Sequence, residues 1–376
     1  MGKVQQFLVG FICLLITACA APLGNIIGVD NPTTPAASVP GTTLQTVFVA
    51  TTRQQSDDPT LLYTADREPV GLNFAKVVVS IPPNRKTGSV SRPTSVPPNP
   101  KKDFVILDPI KYDGNQAFKR AVDQSLAGRP SDSREIMFFV HGYNTDLPAA
   151  ILRTAQFAHD SGFKGIPVLF SWASRGSTLQ YVYDLNSALH ARDDLIVAAE
   201  LVASTRTNGV NIIAHSMGNL LTVEAMRQDQ LLGGFNNSGK IKSIVLASPD
   251  IDAELFAKQL LPFPREARKF YVLISENDKA LAISRKIAGG IDRVGDEPGS
   301  DLAKLGVTVI DLTKIKDTSS LNHTKFANSP EIVQVIGARL NEGDSFVTSN
   351  NQGLGKNLPA AAQLLTGGGD DVIGFR

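Results

Sequence analysis

Ala214-His215-Ser216-Met217-Gly218-Asn219 lies between an apolar run, Val210 to Ala214, and a second apolar run, Leu220 to Met226. The first run is short and β-branched, as a buried strand is, and the second has the length and composition of a helix. A serine at the reversal between them, with a small residue two before and glycine two after, forms a nucleophile elbow. The turn is so sharp that the flanking backbones nearly collide, which is why both flanks are small. In return the hydroxyl is pushed out at the C-terminal edge of the sheet. There the new helix offers its unpaired N–H groups to whatever the serine attacks. Ala214 stands where glycine is commoner, a difference of one methyl group.

Serine is a poor nucleophile at neutral pH until an imidazole takes its proton, and a carboxylate usually orients that imidazole. In chains built on this elbow the order is Ser, then Asp or Glu, then His. The chain has five histidines, His141, His159, His190, His215 and His323, and only His323 follows Ser216. Its place in the polar loop Ser320 to Thr324, after an apolar stretch Val307 to Leu312, makes it the expected base. The acid is expected at a strand tip between the two. Lys269 to Ser275 reads as a strand with Glu276-Asn277-Asp278 at its end, and Asp278 is the first choice. Asp278 also precedes a helix-like run, so a helix N-cap is its competing role. Asp250 and Asp252, one strand earlier, are rivals, with Asp252 the main alternative acid and Glu276 a weaker one.

The charge that develops on a substrate oxygen is usually met by two backbone N–H groups. Met217, next to the nucleophile, supplies one. Ile136 to Val140 reads as a buried strand followed by His141-Gly142-Tyr143, and the N–H of Tyr143 is the expected second donor. His141 and His215 are expected to hold the elbow in place and to transfer no proton. Trp172, Tyr181 and Tyr183 are candidates to line a pocket at the same edge, with ordinary packing as the alternative. Arg192-Asp193-Asp194 is expected to be a solvated helix face.

From Glu135 onward strand-like and helix-like runs alternate, which implies right-handed βαβ units and a parallel sheet. Expected helices start at Pro148 and Met217, cross Thr178 to Ser204, and close the domain over Pro330 to Leu340. From Gln45 to Asp108 short β-rich runs are separated by Pro and Gly, reading as a sheet extension, partly antiparallel.

Six segments, Phe48 to Arg53 (FVATTR), Val77 to Pro83 (VVVSIPP), Phe139 to Thr145 (FVHGYNT), Phe170 to Gly176 (FSWASRG), Ile212 to Asn219 (IIAHSMGN) and Ala247 to Asp252 (ASPDID), together resemble one family in content and order. It is the bacterial α/β-hydrolase family of unknown function called DUF900, and the likeness spans residues 45–342. The resemblance implies an α/β-hydrolase fold, a mostly parallel central sheet with helices on both faces, and a serine hydrolase of undefined substrate. It implies Ser216 as nucleophile, Asp278 as acid and His323 as base. Ala173 departs from a position where the family often has Pro, which touches loop shape and leaves the chemistry alone.

The ends concern address. Lys3 is the sole charge in the first 18 residues, and Phe7 to Ile16 is too short to span a bilayer. Ile16-Thr17-Ala18-Cys19 matches a bacterial lipobox, so residues 1–18 are expected to leave as a signal peptide and Cys19 to carry diacylglycerol. Each buried CH₂ would add ~0.8 kcal/mol of anchoring. Ala20 gives no inner-membrane retention signal, so an outer-membrane anchor facing the periplasm is expected. Cys13 leaves with the signal, so the mature chain would hold neither free thiol nor disulfide. Residues 19–43, Pro/Thr/Ala/Ser-rich from Asn31 to Thr43, are expected to be a flexible tether. Residues 44–342 form the domain, with 44–108 as its β-rich extension, and 343–376 are expected to be a disordered tail.

Removing Lys3 from 37 basic residues leaves 36 against 36 acidic ones, a balance that argues against nucleic acid as a partner. With 42% hydrophobic residues the chain can build one large core. No metal-ligand spacing, P-loop or dinucleotide motif is present, so neither metal nor cofactor is expected. The expected function is hydrolysis of an acyl ester, with thioester or amide less favoured, on a small-molecule or lipid substrate. The alternative is a non-catalytic envelope binding or structural module that keeps the fold.

Overall fold

The computed structural model describes residues 23–265, 268–317, 319–342 and 358–366. The strands in chain order are β1 (Thr43–Thr51), β2 (Arg53–Gln55), β3 (Tyr63–Arg67), β4 (Asn73–Ile81), β5 (Val105–Tyr112), β6 (Glu135–Val140), β7 (Ile166–Ser171), β8 (Gly209–His215), β9 (Ile241–Ala247), β10 (Phe270–Ile274), β11 (Thr308–Asp311) and β12 (Gln363–Thr366). The helices are α1 (Gly114–Ala127), α2 (Leu147–Asp160), α3 (Tyr181–His190), α4 (Arg192–Ala203), α5 (Met217–Leu231), α6 (Ala253–Leu260), α7 (Lys279–Ile287), α8 (Gly299–Lys304), α9 (Lys325–Asn328) and α10 (Pro330–Glu342).

Among the described residues one ten-stranded sheet has the order β12-β11-β10-β9-β8-β6-β7-β1-β4-β5, and β2 pairs with β3 in a separate hairpin. Strands β11, β10, β9, β8, β6, β7 and β1 run parallel. β4, β5 and β12 are antiparallel to their neighbours. This is the expected α/β-hydrolase architecture, with the β-rich N-terminal segment continuing the main sheet.

The period of two along β6 sends alternate side chains into two cores. Ile136, Phe138 and Val140 join α1, α4, α5 and α6 on one face. Met137 and Phe139 join α2 and α10 on the other. Burial on both faces explains why β6 reads as an unbroken apolar run. After β6 the chain steps to β7 on one side, then returns to place β8 on the other. That reversal opens a crevice at the C-terminal ends of β6 and β8, where ligands bind in sheets of this kind. The 141–145 loop leaves β6 there, and Ser216 leaves β8 there.

Two expectations about the ends are corrected. Residues 23–43 are no free tether: Ile26, Ile27, Ala36 and Val39 are buried, and Gly28 N–H donates to Ile106 O at 2.8 Å. The Ile26-Ile27 pair supplies the apolar anchor that the Pro/Thr-rich composition beyond it conceals. Within the C-terminal segment, Gln363–Thr366 is an edge strand on β11, with Leu364 and Leu365 packed against the cores. The signal segment, Cys19 and residues 343–357 and 367–376 lie outside the described residues. No described helix is long and apolar enough to cross a membrane.

Candidate active site

Ser216 sits between β8 and α5 at φ 53°, ψ −127°, a left-handed conformation that costs a non-glycine residue of order 1–3 kcal/mol. The elbow is clamped to hold it. Ser216 N–H donates to Ala247 O at 3.0 Å, and the buried Asn219 amide donates to Ser216 O and Ala247 O, each at 2.9 Å. The two neighbouring glycines are there for space. A methyl group on Gly218 would lie 2.3 Å from His141 O, and one on Gly142 would lie 2.8 Å from Ser216 Cβ. The β6 loop and the elbow therefore touch backbone to backbone.

His323 and Asp278 come together as the order rule requires. His323 Nδ1 lies 2.7 Å from Asp278 Oδ2, and the Asp278 side chain is fully buried. Because a carboxylate only accepts, Nδ1 carries the proton and the Nε2 lone pair is left for a hydroxyl. Asp278 is an N-cap as well: its Oδ1 accepts from Ala280 N–H at 3.0 Å and Leu281 N–H at 3.1 Å. One oxygen fixes α7 and the other fixes the imidazole. Asp252 caps α6 instead, accepting from Leu255 N–H at 3.0 Å, and is not bonded to His323. Glu276 is exposed.

Ser216 and His323 line one cavity of about 530 Å³, together with His141, Gly142, Tyr143 and His215. Among the described residues Ser216 Oγ makes no hydrogen bond of its own, and such contacts commonly tighten only when substrate is bound. The N–H groups of Tyr143 and Met217 are not given to any backbone carbonyl among the described residues. A smaller cavity of about 290 Å³ between α4 and α5 is lined by residues such as Leu195 and Met226 and holds no nucleophile beside a base.

The loop that presents Tyr143 is held by a relay invisible in the linear sequence. Arg53 Nε donates to Ser171 Oγ at 3.0 Å. Ser171 Oγ lies 3.1 Å from His141 Nε2, and His141 Nδ1 lies 2.9 Å from Gly142 O. Gly142 O can only accept, so Nδ1 carries the proton and Nε2 takes the Ser171 proton. Burial, with the charge of Arg53, pushes the His141 imidazole down to about 3, which keeps this tautomer neutral. In a trans peptide C=O and N–H point opposite ways. Fixing Gly142 O toward the ring therefore turns the N–H of Tyr143 away from it. Arg53 itself is buried and also donates to Thr145 O at 2.9 Å. From the other side Asp184 accepts from Asn144 N–H at 3.2 Å and Ser174 Oγ at 2.6 Å.

His323 has its own supports. His215, held neutral by burial and the neighbouring His323, places Nε2 at 3.1 Å from His323 O. Lys325, next after Thr324, buries its ammonium against Ser275 Oγ at 2.8 Å, Asn277 Oδ1 at 2.6 Å and the carbonyls of Leu312 and Thr313 at 3.0 Å. This ties the histidine loop to the tips of β10 and β11. Nothing in the local pattern distinguishes that lysine from a solvated one.

The aromatic candidates divide. Tyr181 lines the cavity, and its ring meets Tyr143 edge-on at 5.3 Å. Trp172 does not line it: fully buried, it stacks on His141 at 5.1 Å and donates Nε1–H to His141 O at 2.8 Å. Tyr183 is instead covered by the guanidinium groups of Arg67 and Arg175 at 4.4 and 4.1 Å. Arg192 pairs with the exposed Asp193 at 3.1 Å, a solvated face as expected.

Comparison with known proteins gives a family and distant structural likenesses. Residues 115–339 match the family described as "Alpha/beta hydrolase of unknown function (DUF900)". No curated protein matches. Among solved structures, the monoclinic form of a Pyrobaculum calidifontis esterase is similar at 12% identity and a TM-score of 0.35, over 72% of this chain and 81% of that one.

Proposed function

The chain belongs to the α/β-hydrolase family of unknown function matched across residues 115–339, and we propose that it is a serine hydrolase cleaving an acyl ester through an acyl-enzyme. The observation that carries this reading is the strained Ser216 in one cavity with His323, whose Nδ1–H is committed to Asp278.

In this reading Ser216 Oγ attacks the substrate carbonyl carbon as its proton passes to His323 Nε2. The buried Asp278 carboxylate stabilises the imidazolium, and the N–H groups of Tyr143 and Met217 take the oxyanion. Collapse of the tetrahedral intermediate breaks the bond to the leaving oxygen, which receives the proton from Nε2. Water, deprotonated by the same imidazole, then attacks the acyl carbon and releases Ser216. We place the enzyme in the bacterial envelope, anchored through lipid on Cys19, on the strength of the lipobox Ile16 to Cys19.

The test is turnover of a panel of acyl esters by the wild type, Ser216→Ala and His323→Ala. Loss of turnover in both folded variants supports the reading. Undiminished turnover in either removes that residue from the mechanism, and no turnover by the wild type on any ester favours a non-catalytic module.

A further inference from the structure

The cavity around Ser216 has two unlike arms. Toward α7 its walls are Tyr181, Leu281, Ile283, Ile287 and Leu321, with Ile283 and Ile287 half-exposed at the mouth one helical turn apart. Toward α2 the walls carry two guanidinium groups, Arg92 and Arg153. Charge beside an apolar cavity is costly to maintain unless something receives it.

Arg153 is bound on one edge and open on the other. Its Nη1 donates to Gly88 O at 3.3 Å, Gln156 Oε1 at 2.8 Å and Asn328 Oδ1 at 3.0 Å. Among the described residues its Nε and Nη2 have no hydrogen-bond partner, and neither is among the buried unpaired atoms, so both keep accessible surface on a residue that lines the cavity. Among the described residues no carboxylate lies within ion-pair distance of it. The acids that act on it from farther away are already engaged, Asp160 by Arg85 and Asp317 by Ser319 and Asn328. Burial lowers the Arg153 guanidinium to about 10, so it stays charged at neutral pH. Arg92 lines the same cavity, giving Nη2 to Asp146 at 2.9 Å and to Leu23 O at 3.0 Å, with its Nε buried and unpaired. Asp250, the carboxylate of the opposite arm, is occupied by Ser284 Oγ at 2.6 Å and faces Arg293 at 3.4 Å.

The open Nε and Nη2 form one edge of a planar fork whose two N–H groups match the paired oxygens of a carboxylate or phosphate. We propose that this arm is an anion-binding subsite in which Arg153, with Arg92 lining the same cavity, holds a carboxylate or phosphate of the substrate while the α7 arm takes its hydrocarbon part. The substrate class is then an amphiphilic, anionic acyl ester. The inference rests on Ser216 being the nucleophile only insofar as it names a substrate, and its test keeps the two questions apart.

Two matched ester pairs separate the sources of the anion. A succinate half-ester and its methyl ester place a carboxylate on the acyl side. Hexanoyl glycerol phosphate and monohexanoyl glycerol place a phosphate on the alcohol side. The wild type should favour the anionic member of at least one pair by about 10- to 100-fold in kcat/KM. That ratio should collapse toward one in Arg153→Gln and be partly kept in Arg153→Lys, which retains charge without the fork. A wild-type ratio near one for both pairs overturns the proposal, as does an equal loss on both members in Arg153→Gln. If Arg153→Gln does not fold, Arg153→Lys and Arg92→Gln carry the comparison. Calorimetric binding of the same compounds to Ser216→Ala needs no turnover. Preference for the anion there supports the subsite even if Ser216 is not the nucleophile, and equal binding of both members rejects it even if Ser216 is.

Discussion

Replacing Gly142 with alanine tests the proposed oxyanion role of the loop pressed onto the elbow. The added methyl would meet Ser216 Cβ at 2.8 Å and His215 Nδ1 and O at 3.0 Å. Carbon atoms rest at about 3.5–4.0 Å, so the loop or the elbow must give by roughly 0.7 Å or more. Neither yields easily. The loop is fixed through His141 and Asp184, and the elbow through Asn219. An oxyanion donor works only at about 2.7–3.1 Å from the developing charge, so this displacement removes most of the contribution of Tyr143 N–H. The expected loss is about 10²–10³ in kcat, with KM changed far less. The assay is steady-state ester hydrolysis, with circular dichroism and urea unfolding as controls for folding. Gly24→Ala, whose methyl meets nothing within 4 Å, serves as the matched neutral substitution. A folded Gly142→Ala protein with kcat within threefold of wild type would refute the assignment of this loop.

Two further outcomes follow from the same geometry. Asp278→Asn keeps an oxygen for the α7 cap but removes the charge facing His323, so kcat should fall about 10³–10⁴-fold with little change in melting temperature; near-wild-type kcat would move the acid to Asp250 or Asp252. Stability should depend on pH through the buried histidines. His141 is held down to about 3 and His215 well below its ordinary range, both chiefly by burial, while the unfolded chain protonates near 6.5. Between these values the unfolded state binds more protons, so stability is complete above about pH 6.5 and falls as pH drops toward 3. The slope approaches about 1.4 kcal/mol per pH unit for each histidine. Urea unfolding between pH 7.5 and 4.5 checks it, and a flat profile would contradict neutral burial.

What the sequence made legible was local or countable. The elbow is a six-residue pattern whose flanking runs declare a strand and a helix. His323 stands out because no other histidine follows Ser216. Asp278 presents two competing roles, and in the structure one oxygen caps α7 while the other faces His323. The supports stayed hidden because their partners are distant in the chain. Arg53 and Ser171 are 118 positions apart, and Lys325 reaches back 50 positions to Ser275. Trp172 stays open between pocket wall and packing in the sequence, because an aromatic at a strand tip looks alike whether it faces the cavity or His141. Residues 31–43 have a linker's composition, yet Ile26 and Ile27 before them and Ala36 and Val39 within them are buried, which fastens the segment down. The edge strand β12 was concealed for the same reason, four residues amid Gly- and Asn-rich sequence.

The most direct measurement of the central claim is the mass of the peptide containing Ser216 after exposure to a fluorophosphonate. A phosphonyl adduct on Ser216, absent in Ser216→Ala and greatly slowed in His323→Ala, is the expected result. An unmodified Ser216, or an adduct borne by another residue in the intact protein, would contradict it.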